Sequence, residues 1–365
     1  MKIISIVGAR PNFMKVAPLH RAFKQNQSIQ SKIIHTGQHF DRAMSAIFFE
    51  ELELPEPDYF LGVGSGTHSI ITAKIMTAIE PILQSERPDL VIVVGDVTST
   101  LACALVANRN GIPVAHVEAG LRSFDRSMPE EINRLLTDQI SDLLFTTERL
   151  ATDHLIKENI SPDKIHFVGN CMIDSLHYYQ KKTSDQSILK QFNLVPASYV
   201  IMTMHRPSNV DTLEGLQKLI HLLSVICTMR TVLLPLHPRT KDRLNHFGLL
   251  NTLTQIPNLI ITEPLGYIEF ITLIRYSQLI LTDSGGVQEE TTYLSVPCLT
   301  FRRSTERPIT VDVGTNILLD DLNPEVAIHH VREILDGHIK QGQIPELWDG
   351  QAAFRIRDIL LNQFG

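Results

Sequence analysis

The sequence predicts an α/β protein built from two doubly wound parallel sheets with helices on both faces. Three observations carry that expectation. Short β-branched runs alternate with longer segments of helical period almost from end to end, the pattern of strand–helix–strand crossovers. Strand candidates number about six before residue 170 and about six after it, one sheet in each half. A length of 365 residues exceeds one small core and suits two domains of ordinary size.

In chain order, the expected strands of the first half are residues 2–7, 32–36, 90–94, 112–117, 143–146 and 165–168. Those of the second half are 199–204, 232–235, 259–261, 279–281, 298–301 and 317–319. Apolar residues at spacings of three and four predict helices over 14–24, 70–84, 101–108, 132–139, 213–228, 267–276 and 324–335. The polar stretch 180–187 reads as the connection between the halves. The domain expectation is therefore 1–170 and 171–349, with a closing helix within 350–365 that has no strand of its own and packs back on the first domain.

A formal net charge of −7 with both signs spread through the chain, and no basic or basic-aromatic stripe, argues against a nucleic acid or membrane-surface partner. No apolar stretch approaches the length of a membrane span. The run Met1 to Gly8 reads as a first strand rather than a leader, since its apolar segment is too short. Four scattered cysteines, Cys103, Cys171, Cys227 and Cys298, form no Cys-x-x-Cys pair. A reduced, cytoplasmic protein without zinc or disulfides is expected.

The most informative stretch is Thr282-Asp283-Ser284-Gly285-Gly286-Val287-Gln288-Glu289-Glu290, which follows an apolar run and opens a helical pattern. A strand that ends in Ser-Gly-Gly and turns into a helix presents backbone N–H groups at the positive end of the helix dipole. Ser284, Gly285 and Gly286 thus form a candidate diphosphate cradle. Glu290, one turn later, suits a ribose hydroxyl pair. The glycine loop Gly62-Val63-Gly64-Ser65-Gly66 is discounted as a dinucleotide site, because it lacks the third glycine at the right spacing and does not follow the buried first strand. No nicotinamide, other cofactor or metal is inferred.

The first half places carboxylates at strand and helix ends, where open α/β sheets bind ligands. They are Asp96 in Gly95-Asp96, Glu118 in His116-Val117-Glu118-Ala119-Gly120-Leu121-Arg122, and Glu130 in Pro129-Glu130-Glu131-Ile132-Asn133-Arg134. Asp96 alone would serve as a helix cap and Glu130 as a dipole partner; three together point to one shared site. Arg10 and Lys15 follow the first strand, and His205-Arg206 and His237-Pro238-Arg239 follow two strands of the second half. Cations beside a diphosphate neutralise the charge of a leaving group. Carboxylates and cations facing a nucleotide sugar suit loss of the nucleotide coupled to proton transfer at the adjacent ring carbon, followed by readdition.

These residues resemble the non-hydrolysing UDP-N-acetylglucosamine 2-epimerases from Gly8-Ala9-Arg10-Pro11 to Glu306-Arg307-Pro308 and on to the last helix. The resemblance implies a glycosyltransferase-B type fold, two Rossmann-like domains with a cleft between them, and a homodimer. It also implies interconversion of UDP-N-acetylglucosamine and UDP-N-acetylmannosamine through enzyme-bound UDP and 2-acetamidoglucal. Carried over, Asp96, Glu118 and Glu130 are acid/base candidates, with no one of them singled out as the base, and His205, near the diphosphate, is a further catalytic candidate. Arg10, Lys15, Ser284, Gly285 and Gly286 hold phosphates, Glu290 the ribose, and the region from Leu265 to Phe270 the uracil. Arg134, His237 and Arg307 complete the shell.

The chain departs from the family pattern at His205-Arg206-Pro207-Ser208, where many bacterial members read His-Arg-Arg-Glu. It departs again at Phe40-Asp41 after Gln38-His39, and at Gly64-Ser65-Gly66. The last two fall where regulated members bind additional substrate for activation, so such activation is not expected, and the changed loops leave room for a modified sugar such as a UDP-linked 2,3-diacetamido uronic acid. A UDP-sugar glycosyltransferase, a hydrolysing epimerase and a non-catalytic nucleotide-binding module are the competing readings.

Overall fold

The computed structural model describes residues 1–37, 49–180 and 182–364, with the side chain of Arg10 outside that description. The expectations at Gln38-His39 and Phe40-Asp41 likewise lie outside the described residues. Two compact units are found: Met1–Tyr178 with Glu346–Gly365, and Tyr179–Pro345.

The first unit is a parallel sheet whose described strands are β1 (Lys2–Val7), β2 (Gln30–His35), β3 (Tyr59–Phe60), β4 (Leu90–Val94), β5 (Val114–Ala119), β6 (Leu143–Thr146) and β7 (Ile165–Phe167). Their order is β3-β2-β1-β4-β5-β6-β7. Every residue of β4, Leu-Val-Ile-Val-Val, is buried, as a central strand covered on both faces requires. The order reverses between β1 and β4, so their carboxyl ends form the topological switch point at which such sheets bind ligands. Helix His68–Glu86 packs its Ile71, Ile75, Ile79 and Leu83 stripe on this sheet. It starts at Thr67, whose hydroxyl accepts the Ile70 N–H at 3.4 Å.

The second unit repeats the plan with β8 (Tyr199–Thr203), β9 (Thr231–Pro235), β10 (Leu259–Thr262), β11 (Leu279–Thr282), β12 (Cys298–Phe301) and β13 (Asn316–Leu319), in the order β10-β9-β8-β11-β12-β13. Its switch point lies at the ends of β8 and β11, where Thr203 pairs with Thr282. One core of buried residues, including Val200, Met202, Leu219, Leu223, Leu281 and Phe301, joins the sheet to helices Leu213–Ile226 and Pro324–Leu335.

The differences from expectation have local causes. Several helices begin earlier than their apolar period, at Arg10, His68, Thr98 and Pro129, because a first turn is polar or capped and carries no periodic signal. The strand expected over 112–117 is Val114–Ala119, since the Gly111 turn takes up its start and the strand runs on through Glu118. Strand β3 is two residues long at the sheet edge and has no apolar run to announce it. Helices Arg149–Lys157, Cys171–Tyr178 and Pro238–His246 were likewise absent from the expectation.

The units part between Tyr178 and Tyr179 rather than at 170. Helix Cys171–Tyr178 is held to the first unit by Ser175 Oγ, which donates to Met14 O at 2.5 Å, and by Asp174, which accepts the Ala352 and Ala353 N–H groups at 3.1 and 2.7 Å. Asp174 thereby caps the closing helix Ala352–Phe364. The return crossing precedes Glu346 rather than residue 350, and Glu346 meets Arg149 in a bidentate pair at 2.6 and 2.7 Å.

At the end of helix His68–Glu86, Glu86 accepts from Lys32 Nζ at 2.8 Å to each oxygen, from Lys2 Nζ at 3.2 Å, and from the Tyr59 hydroxyl. These donors, Lys32 first, push its carboxyl down to about 2. Because the folded value lies below the unfolded one, the contribution is present above the ordinary carboxylate range and is lost as pH falls toward 2. Glu86→Gln is expected to lower stability at pH 7 by about 1–2 kcal/mol. Urea unfolding should show the gap to wild type narrowing as pH is lowered from 7 toward 3; a gap independent of pH would reject the ionic account.

Candidate active site

Loop chemistry at the first switch point begins with Asn12. Its Oδ1 accepts the Gly8 and Ala9 N–H groups at 3.1 and 3.0 Å, and its Nδ2 donates to Val94 O at 3.0 Å. The ends of β1 and β4 are thereby tied together. One turn along the same helix, Arg10–Lys24, the buried Lys15 forms an ion pair with the buried carboxylate of Glu118. Glu118 sits where the β5–β6 register shifts and has a left-handed φ of 73°. A non-glycine residue in that region at a bulge is costly and characteristic of functional positions. Gly95, at φ +66°, has the conformation a side chain disfavours, and a Cβ there would lie 3.0 Å from Lys15 Nζ.

Asp96 is half-buried, and its carboxylate pairs with Arg134 Nη1. Asn133 Nδ2 donates to Asp96 O at 2.8 Å. Arg134 is buried and also pairs with Glu131 through Nη2 at 2.7 Å. Glu131 accepts the Ser123 and Phe124 N–H groups at 2.9 and 3.0 Å. Burial pushes Glu131 up, yet the Ser123 N–H and Arg134 outweigh it and leave the carboxyl below its usual value. Glu130 is exposed at the start of helix Pro129–Ile140. Adjacent acids on one helix thus meet opposite environments, one inside the loop network and one in solvent.

Beneath these loops, buried Asp138 gathers His116 Nδ1 at 2.6 Å, the Gly120 N–H at 3.1 Å and Arg122 Nη2 at 2.7 Å. The other ring nitrogen of His116 donates to Gly95 O at 2.8 Å. Burial raises the Asp138 pKa, but His116 and then Arg122 bring it below the ordinary value.

In the second unit, Ser284 stands at the N-cap position of helix Gly285–Leu294 without a side-chain cap, and buried Gln288 Nε2 donates back to Ser284 O at 3.2 Å. Gln288 Oε1 accepts from Thr305 at 2.8 Å and from Asn316 at 3.1 Å. Arg307 joins Glu289, at 2.9 Å, to Glu306, which in turn accepts from Arg302 at 2.6 Å. A Cβ on Gly285 would meet Arg307 Nη1 at 2.7 Å and Glu306 Oε1 at 2.8 Å. A side chain at Gly285 would push aside the ends of these two charged groups. Gly286 follows it in the first turn, and Glu290 is buried in the same helix. Leu265 and Phe270, half-buried, flank the start of helix Tyr267–Tyr276. His205 and His237 lie with ring centroids 5.2 Å apart, and His237 caps helix Pro238–His246.

The family model described as UDP-N-acetylglucosamine 2-epimerase matches residues 21–361. The chain belongs to the UDP-N-acetylglucosamine 2-epimerase family. A Methanocaldococcus jannaschii relative named for that activity is 46% identical, with 92% of this chain and 93% of the relative covered. The crystal structure of the M. jannaschii UDP-GlcNAc 2-epimerase in complex with UDP-GlcNAc and UDP is 44% identical. It superposes with a TM-score of 0.91 over 99% of this chain and 100% of that one. A Pseudomonas aeruginosa UDP-2,3-diacetamido-2,3-dideoxy-D-glucuronate 2-epimerase is 41% identical over 99% of both chains. A lipopolysaccharide outer core galactosyltransferase, 14% identical over 100% of both chains with a TM-score of 0.56, shares the fold alone. This epimerase-family chain is an isomerase whose two parallel-sheet units have the glycosyltransferase-B type fold.

Among the described residues the epimerase has no group of three or more His, Cys, Asp or Glu side chains arranged for a metal, and no helix long and apolar enough to cross a membrane. Sequence reasoning passed over Asn12, Glu131, Asp138, Asp283 and Gln288. Asp283 was within sight, directly before Ser284 at a strand end. Asp138 had no such signal, because an acid one turn past Arg134 reads as a solvated helix face. Gly285→Ala is expected to weaken UDP binding at least tenfold, about 1.4 kcal/mol, with little loss of secondary structure. Calorimetric titration with UDP checks this, and an unchanged Kd would remove the loop from the phosphate site.

Proposed function

We propose that this chain is a non-hydrolysing 2-epimerase that interconverts UDP-N-acetylglucosamine and UDP-N-acetylmannosamine. The observation that carries the reading is Glu118 of β5, a buried carboxylate held in a left-handed conformation and paired with Lys15; β5 is the strand beside β4, after which Asp96 follows. The names of the M. jannaschii relative and of its UDP-GlcNAc and UDP complex support it.

A ring hydrogen at C2 is not acidic in the bound sugar, so direct deprotonation and return is too slow. If the C1–O bond breaks as the proton leaves, its electrons go to the diphosphate and a 2-acetamidoglucal forms. Readdition of UDP at C1, with protonation of C2 on the opposite face, completes the inversion without an external electron carrier. Asp96, Glu118 and Glu130 are the proton-transfer candidates. Arg10, Lys15 and the Ser284-Gly285-Gly286 loop stabilise the diphosphate, with Arg307 behind the loop. Glu290 holds the ribose and the region from Leu265 to Phe270 the uracil, while Arg134, His205 and His237 complete the shell. The expected setting is a cytoplasmic homodimer that makes precursors for surface polysaccharide.

One observation favours a second substrate. The diacetamido-glucuronate 2-epimerase is nearly as similar to this chain as the M. jannaschii relative, at 41% against 46% identity, and its name implies the same inversion on a bulkier, anionic sugar. Incubation with each UDP-sugar separately, followed by anion-exchange separation of the epimers, decides between them. UDP-N-acetylmannosamine from the first is expected; turnover of the uronate alone would transfer the activity to the modified sugar. Asp96→Asn and Glu118→Gln are each expected to lower kcat by about 100-fold or more while UDP still binds. Loss of UDP binding with the fold intact would move those residues to the nucleotide.

A further inference from the structure

The carboxylate of Asp283, the residue directly after β11, is buried. It accepts the His205 N–H at 3.1 and 3.0 Å, the Arg206 N–H at 2.8 Å and Asn209 Nδ2 at 3.0 Å. His205 Nδ1 lies 2.8 Å from Asp283 Oδ1. Arg206 Nε donates to Asp283 O at 2.9 Å. One acid therefore fixes the loop that follows β8 from the strand beside it, and it is joined through the chain to Ser284.

We propose that Asp283 is a positioning residue for the epimerase reaction, holding His205 in the tautomer whose Nε2 exchanges a proton with the leaving diphosphate. The inference rests on the UDP-sugar reading above. A carboxylate ringed by N–H donors is an acceptor, so the His205 proton sits on Nδ1 and Nε2 carries the lone pair. Burial raises the acid's pKa, but His205, Asn209 and Arg206 outweigh it and hold it ionised, below its usual range. When UDP leaves, the C1–O electron pair passes to a diphosphate oxygen. In the UDP-sugar complex Nε2 has taken a proton from solvent and Asp283 compensates the imidazolium charge; that proton is given to the oxygen as UDP leaves, restoring the neutral Nδ1–H ring, and is taken back when UDP readds.

The neighbouring ring is held the other way. His237 Nδ1 accepts the Arg239 N–H at 3.2 Å, so its proton sits on Nε2 and it acts as a donor. Two imidazoles at equivalent strand ends, with centroids 5.2 Å apart, thus have opposite tautomers imposed by different partners.

Asp283→Asn tests this directly. The amide oxygen can still accept from Arg206 and Asn209, while its NH₂ faces His205 Nδ1 and forces the proton to Nε2. Long-range ¹⁵N–¹H NMR of the full-length protein is expected to show His205 switching from the Nδ1–H to the Nε2–H form, with His237 remaining Nε2–H as the internal control. kcat on the accepted UDP-sugar should fall about 100-fold or more, with UDP affinity within about threefold of wild type. In a His205→Ala background the same change should cost almost nothing further, since one residue acts through the other.

An unswitched His205 signal, or an undiminished loss of kcat in the His205→Ala background, would overturn the proposal. If Asp283→Asn fails to fold, Asp283→Glu retains the charge and is expected to keep the Nδ1–H tautomer; loss of that tautomer there also overturns it. Inactivity of wild type on every UDP-sugar would defeat the functional reading alone, because the NMR signature is read without turnover.

Discussion

The first unit's site depends on one constraint: an ionised carboxylate taken out of water must be surrounded by N–H donors. Asp138 satisfies it with His116, Gly120 and Arg122, and its donors lie on the loops that need fixing. His116 carries the hold to Gly95, and Gly120 follows the bulge that presents Glu118. Removing one partner from such a buried ionic group costs about 3–5 kcal/mol. Asp283 does the same work in the second unit, where it collects the loop after β8.

Preorganisation of this kind accounts for a strained residue at the centre of the site. Glu118 occupies a left-handed conformation that its own sequence does not favour. It persists because the bulge against β6, the Lys15 ion pair and the Asp138 cluster over-determine it. Asp96 is restrained in parallel, by Arg134 and Asn133. Groups held in advance need little reorganisation when charge develops on a departing diphosphate, which is where electrostatic catalysis gains most.

Much of this was legible in the sequence, and the parts that were not share a physical cause. Leu90–Val94 announces a buried central strand by composition alone, and Ser284-Gly285-Gly286 announces a helix start. Carboxylates at strand ends were readable because the switch-point rule says where to look. Tyr59–Phe60 was not, since an edge strand of two residues has no periodicity. Nor could sequence separate Glu130 from Glu131. Helix phase turns one into solvent and the other onto Arg134 and the Ser123 N–H, and neighbouring identical residues carry no mark of phase. Asp138 was hidden for the same reason: burial of an acid is decided by partners far away along the chain.

Elimination and readdition at C2 is the central claim, and its most direct test is proton NMR of the purified protein with UDP-N-acetylglucosamine in D₂O without added cofactor. The account predicts UDP-N-acetylmannosamine bearing deuterium at C2, with deuterium also entering the recovered substrate. Epimer formation with the original hydrogen retained at C2 would contradict it, because a proton removed to a carboxylate and returned on the other face cannot escape exchange with solvent.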